Sequence, residues 1–207
     1  MQMRKNFSKI IDLYRYFHVF PNTLEKLMYK RVLNFLNKHK ILTDSQYGFT
    51  KKCSTYFAIL EPVSKICKAV DNSEYKMAVF LDLSKAFDTV DHNILLYKLE
   101  HYGFRTIALE WFRNYLAGRK QIFKFKLTGS DYLTIKCGVP QCSFLGQLLF
   151  LIYMYVNDIC KSSEILSFIL FADNTNLFLS HKDLKTLNNT MNQELEKATL
   201  WLAANKL

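Results

Sequence analysis

Two aspartates carry the first sign of chemistry. The apolar run Met77–Leu81 leads directly into Asp82, and the apolar run Ile165–Ala172 leads directly into Asp173, 91 residues further on. A carboxylate at the tip of a buried strand is positioned by a rigid element. If the two strands are neighbours, their tips bring two carboxylates within reach of one ion. Hard dications such as Mg²⁺ take carboxylate oxygens together with substrate phosphates, and a pair of such ions suits in-line phosphoryl transfer. Either aspartate alone reads as well as a turn or helix cap. It is the pair, set in a basic chain, that points to chemistry.

The elements needed to position them are legible in outline. Leu24, Leu27, Met28, Val32, Phe35 and Leu36 fall on one helical face, and Asn22 with Glu25 resembles a capping box. Ser54–Val70 is helical in composition, but Pro62 inside it is expected to kink or break the helix. The two unalternated runs before Asp82 and Asp173 are expected to be strands buried on both faces. Further helices are expected over Asp91–His101, Thr106–Leu116, Ser143–Asn157 and Asp183–Asn205. Ile122–Leu127 alternates and turns at Thr128-Gly129-Ser130 into Tyr132–Cys137, which reads as a hairpin. Thr175–Ser180 returns from the second buried strand. A helical first third followed by β-α-α-β-β-α-β-β-α gives an α+β fold, a sheet with helices on one face.

Composition narrows the classes. Of 207 residues 50% are hydrophobic and 22% charged, a globular balance, and six Gly with three Pro leave no room for a flexible linker or low-complexity tract. The longest apolar stretch, Phe144–Val156, is too short to cross a bilayer, and the N-terminus does not read as a signal peptide; no membrane partner is expected. The five cysteines are odd in number and never spaced C-x-x-C, so neither a zinc site nor a disulfide framework follows. They are expected to be buried thiols in a reducing, intracellular compartment, nucleus or cytoplasm. The net charge of +10 is unevenly spread: residues 1–52 hold eleven Lys/Arg against three Asp/Glu, and residues 113–136 hold six against one. Basic stretches around a slightly acidic remainder suit a polyanion-binding surface around a cation-holding site, although a solvated surface reads as well from charge alone.

Four ordered stretches, and the start of a fifth, resemble one family. Phe80-Leu-Asp-Leu-Ser-Lys-Ala-Phe-Asp-Thr-Val-Asp-His92 is similar to the first catalytic motif of reverse transcriptases from non-long-terminal-repeat, jockey-like retrotransposons. Gln46-Tyr-Gly-Phe-Thr-Lys-Lys-Cys-Ser-Thr55 resembles the fingers motif, and Cys137-Gly-Val-Pro-Gln-Cys-Ser-Phe-Leu-Gly-Gln-Leu-Leu-Phe150 the nucleotide-pocket motif. Phe171-Ala-Asp-Asn174 resembles the aromatic-Ala-Asp-Asp turn, and Trp201–Leu207 the start of the next palm motif.

The resemblance covers about residues 12–207. It implies a right-hand polymerase palm, an antiparallel sheet with helices on one face, over residues 76–207 with inserted fingers-side helices and a hairpin. Residues 1–75 would form a partial, mostly helical fingers region. It implies RNA-directed DNA polymerase activity: transfer of a nucleotide from dNTP to a primer 3′ hydroxyl on an RNA template, with a DNA primer. Asp82, Asp173 and the Leu83 carbonyl would hold two Mg²⁺ ions, Mn²⁺ being a substitute. Asn174 would complete the catalytic turn. Phe87 would lie under the sugar, and Gln141, Gly138 and Pro140 would contact the nucleotide. Arg15, Lys51 and Lys52 would face the triphosphate, and Arg113, Arg119, Lys120, Lys124 and Lys126 the nucleic acid. Without the family, Phe87 reads as core packing and Gln141 as a polar loop residue.

The departures bear on activity. Asn174 stands where the family has a second carboxylate, which removes a negative charge beside two dications. Thr50 and Cys53 replace expected arginines and lose bidentate phosphate contacts. Cys142 replaces Gly, Gln147 replaces Pro, and Ile152–Asp158 is two residues longer than the pattern, a helix rotation of about 200°. The thumb, the primer-grip hairpin and an endonuclease domain are not matched, so a truncated, diverged copy is expected. Two readings follow: a reverse transcriptase domain, or a catalytically inactive remnant that at most binds nucleic acid. A structural module unrelated to nucleic acid would require Asp82 and Asp173 to lie far apart.

Overall fold

A computed structural model describes residues 21–42, 45–48, 55–121, 124–125, 128–140, 143–155, 158–171 and 173–207. In chain order its helices are α1 (Pro21–Lys38), α2 (Thr55–Asp71), α3 (His92–His101), α4 (Ile107–Leu116), α5 (Phe144–Tyr155) and α6 (Leu184–Ala204). The strands are β1 (Tyr75–Asp82), β2 (Lys120–Gln121), β3 (Lys124–Phe125), β4 (Thr128–Gly129), β5 (Leu133–Thr134), β6 (Ser167–Phe171) and β7 (Asn174–His181). The fold is α+β with an antiparallel sheet, as expected. Its contacts divide it into two compact units, one of the described residues up to Asn34 with Phe87–Tyr153, the other of Phe35–Ala86 with Met154–Leu207.

The second unit is built on the three-stranded sheet, in the order β1-β7-β6. The expectation of adjacent aspartate-bearing strands is corrected here: β7 lies between β1 and β6, and Asp173 sits in the two-residue connection from Phe171 to Asn174 rather than on β6. Eight paired residues, from Tyr75↔His181 to Asp82↔Asn174, fix the register of β1 on β7. A one-residue slip would turn every side chain to the other face and expose buried Leu177 or Thr175. β6 is buried on both faces, as its unalternated sequence requires, but β1 is not. As the edge strand it leaves Phe80 72% exposed, because an apolar run reports side-chain type and not what covers it.

Helix α2 packs against β1 and β6, and α6 against β7 and β1. Lys65 on α2 donates to the Ser167 hydroxyl and pairs with Glu61 at 2.7 Å. Helix α2 runs through Pro62 without breaking, against expectation; proline removes one backbone bond, and the helix continues on either side. Asp183 caps α6 by accepting from the Thr186 amide at 2.7 Å, and Leu187, Met191 and Ala198 form its buried stripe. Segment 45–47 lies along the outer edge of β6, with Tyr47 N donating to Leu170 O at 2.8 Å and Leu170 N to Ser45 O at 2.9 Å.

The first unit surrounds α5. Leu145 and the run Leu148–Tyr153 are buried, so this stretch of α5 is apolar because it is covered, while Phe144 at its start is 49% exposed. Among the described residues no helix is long and apolar enough to cross a membrane. Lys98, itself buried, donates from Nζ to the Tyr153 carbonyl at 2.7 Å and so covers an acceptor in the last turn of α5. The hairpin is present but its turn is not at Thr128-Gly129-Ser130. Those first two residues form β4, paired with β3 as Lys124↔Gly129 and Phe125↔Thr128, while β2 pairs with β5 as Lys120↔Thr134. The registers differ by one residue, so a bulge lies within 130–132. Cys67 and Cys137 are free and exposed rather than buried. The two-residue excess within Ile152–Asp158 falls at the end of α5, where positions 156 and 157 lie outside the described residues.

Candidate active site

The sheet edge comes first. Asp82 ends β1, and its Cα is the partner of Asn174, the first residue of β7. Directly opposed residues of an antiparallel pair are about 4.5–5.5 Å apart and project to the same face. Asp173 is the residue before Asn174, so two carboxylates and one amide gather at one end of one ladder. Asp82 and Asn174 are exposed, while Asp173 and Leu83 are half-buried. The available donors are carboxylate, amide and carbonyl oxygens, the hard set that Mg²⁺ takes, with one or two carboxylates completed by substrate phosphates. Among the described residues no group of three His, Cys, Asp or Glu side chains is placed to hold an ion.

The loop Gly138–Pro140, in the other unit, is held from several sides. Gly138 N donates to Val90 O at 2.7 Å, and Val139 N to Phe87 O at 2.8 Å. His92 Nε2 lies 2.8 Å from the Gly138 carbonyl; a carbonyl only accepts, so this nitrogen carries the proton. Gly138 has φ +92°, and a Cβ there would meet Asp88 backbone at 3.0 Å. Ser143 Oγ donates to Pro140 O at 3.3 Å and accepts from Gly146 N at 2.9 Å, which caps α5. A Cβ on Gly146 would come 2.1 Å from the Pro140 carbonyl oxygen, so only glycine allows this approach.

Behind Ser143 stands Tyr115, whose hydroxyl donates to Glu25 Oε1 at 2.8 Å and lies 3.5 Å from Ser143 Oγ. Burial pushes this phenol up to about 12; the Ser143 hydrogen bond opposes the rise, and the Glu25 carboxylate adds to it. Phe87, 7% exposed, stacks on Phe150 with ring centroids 4.1 Å apart, which is core packing on that face.

The basic residues do not behave alike. Arg113 is exposed and pairs with Glu110 at 3.0 Å. Lys120 is exposed on β2, and Lys124 lies on β3. Arg119 is half-buried, its guanidinium 5.3 Å from the centroid of the Tyr115 ring. Arg15, Lys51, Lys52, Lys126 and Gln141 lie outside the described residues. His92, Tyr115, Ser143 and Gly146 were not singled out from sequence, and Glu25 was read there only as part of a capping box, not as the partner of Tyr115. Only the Ser143-x-x-Gly146 spacing before an apolar run offered a local signal, that of a helix cap.

Comparison with known proteins gives a consistent result. A family model described as reverse transcriptase (RNA-dependent DNA polymerase) matches residues 4–207. The chain is 31% identical over 135 residues to the probable RNA-directed DNA polymerase from transposon BS of Drosophila melanogaster, covering 62% of this chain and 14% of that protein. It is 26% identical over 203 residues to the RNA-directed DNA polymerase from mobile element jockey of the same species, covering 92% and 22%. It is 31% identical over 150 residues to the jockey polymerase of Drosophila funebris, covering 69% and 16%. The chain therefore spans less than a quarter of the length of these relatives.

Proposed function

The chain belongs to the reverse transcriptase (RNA-dependent DNA polymerase) family, and from that premise we propose that the Asp82–Asn174 sheet edge is its nucleotidyl-transfer centre. On this reading the sheet unit is the palm of a right-hand polymerase, with a partial, mostly helical fingers region. Its substrates are a dNTP, a DNA primer and an RNA template. The observation that carries the proposal is the register of β1 on β7, with Asp82 opposite Asn174 and Asp173 beside it.

Asp82, Asp173 and the Leu83 carbonyl would hold two Mg²⁺ ions, or Mn²⁺ in their place. When bound, such ions supply positive charge at the primer 3′ hydroxyl and at the triphosphate. Asn174 offers a neutral oxygen at the same edge. The family resemblance assigns nucleotide contact to Gly138, Pro140 and Gln141 and a place under the sugar to Phe87. Arg15, Lys51 and Lys52 attract the triphosphate. Arg113, Arg119, Lys120, Lys124 and Lys126 hold the nucleic acid electrostatically.

Incorporation of labelled dNTP on a primed RNA template, in Mg²⁺ or Mn²⁺, tests the reading. Asp82→Ala is expected to reduce it by roughly three orders of magnitude. Equal incorporation by wild type and Asp82→Ala overturns it. Asn174 favours a second reading, a catalytically inactive remnant that binds nucleic acid. Salt-sensitive binding to primer–template with no Asp82-dependent incorporation selects that one.

A further inference from the structure

An open groove of about 630 Å³ runs beside the Gly138–Pro140 loop, wholly within the first unit. Its walls include Arg119, Lys136, Ser130 and Thr134, with Asp88 as the one acidic residue lining it among the described residues. Arg119 differs from the other basic residues of this stretch. Arg113 is exposed and already paired with Glu110, whereas Arg119 lies over the Tyr115 ring, and its Nη1 is buried without a hydrogen-bond partner among the described residues. A guanidinium holds five donors in a rigid fork that matches phosphate oxygens two at a time. Leaving a buried donor of a charged group unmatched is costly, so a site that keeps one has a use for the charge. A guanidinium held against a ring has less freedom to lose when an oxyanion docks.

We propose that this groove is a seat for one phosphate oxyanion, with Arg119 as the fork and Lys136 as a second, point-like charge. The inference rests on the reading of the chain as a domain that handles nucleic acid and nucleotides. The oxyanion has two sources of the same chemistry, a phosphodiester of the nucleic-acid strand or the triphosphate of a nucleotide. Arg113 and Lys120, exposed to solvent, contribute only screened attraction.

The test is binding, not turnover. Fluorescence anisotropy of a labelled RNA–DNA primer–template is followed against the full 207-residue chain across a salt series, and dATP binding is measured alongside. If the strand supplies the phosphate, Arg119→Gln weakens duplex binding about tenfold at low salt and lowers the log–log salt slope by about 0.7–0.9. If the nucleotide supplies it, Arg119→Gln weakens dATP binding about tenfold and leaves the duplex slope alone. Unchanged duplex slope and unchanged dATP affinity overturn the seat while leaving the polymerase reading intact. Binding of neither ligand by wild type overturns both. Thermal melting checks folding, and Lys136→Gln, an exposed substitution, carries the same expectations if Arg119→Gln unfolds.

Discussion

At the Asp82–Asn174 edge the polar side chains stand at the end of a ladder whose register is decided by buried residues further along the strands. Around Gly138–Pro140 almost every backbone group is spoken for: Val90, Phe87, His92 and Ser143 each hold one, and two glycines admit approaches that a side chain would block. The first region has its geometry set by distant packing and its side chains presented to a ligand. The second has its geometry set by local contacts, with little side-chain chemistry of its own. Substitutions at the sheet edge should therefore alter chemistry with little effect on folding, and substitutions around the loop should do the reverse.

The largest effect that sharpens this contrast is expected from Asn174→Asp. Restoring a carboxylate at an exposed position should raise Mg²⁺-dependent incorporation by about two to three orders of magnitude. The thermal midpoint should stay within a few degrees of wild type, since surface changes are usually within about 0.5 kcal/mol. A large fall in the midpoint would show that the edge is not free of folding constraints. Gly146→Ala is the counterpart at the loop. With a 2.1 Å approach to a backbone carbonyl, either α5 or Pro140 must move, and denaturant titration should read a loss of about 2–4 kcal/mol. A loss under 0.5 kcal/mol would break the comparison.

Tyr115→Phe gives a smaller and pH-dependent effect. The Tyr115 pKa is raised, mainly by burial, from 10.0 to about 12 in the folded chain, so the fold holds the proton more tightly than the unfolded chain does. That contribution is fully present below pH 10 and is lost as pH rises through about 12. Wild type should lose about 2–3 kcal/mol more than Tyr115→Phe over this window. At neutral pH the Phe variant should cost about 1 kcal/mol for the hydrogen bond to Glu25. Parallel stability curves for the two proteins from pH 9 to 12 would remove Tyr115 from the loop's support.

Parts of the fold around the candidate site were legible because local patterns carry them. The helix starts at Asp91 and Asp183 and the apolar runs leading to Asp82 and Asp173 are local features that side-chain type and period announce. What the pattern misstated was non-local. The run ending at Leu81 is equally apolar whether covered on one face or two, so the exposure of Phe80 was not readable. The hairpin turn moved because strand pairing across a bulge outweighed the turn preference of Thr-Gly-Ser. The polar chain Glu25–Tyr115–Ser143 joins residues up to 118 positions apart, and no spacing rule announces it.

The order of types along the chain determined the α+β class, the helices and strands within a few residues, the surplus of positive charge and the family, because each follows from side-chain periodicity or from motif residues in order. Folding in three dimensions decided that β7 stands between β1 and β6, that Arg119 is drawn over an aromatic ring, and that glycine is required at 146. These depend on which surfaces meet, and close packing between segments far apart in sequence is set by volume and contact rather than by any residue's own preference.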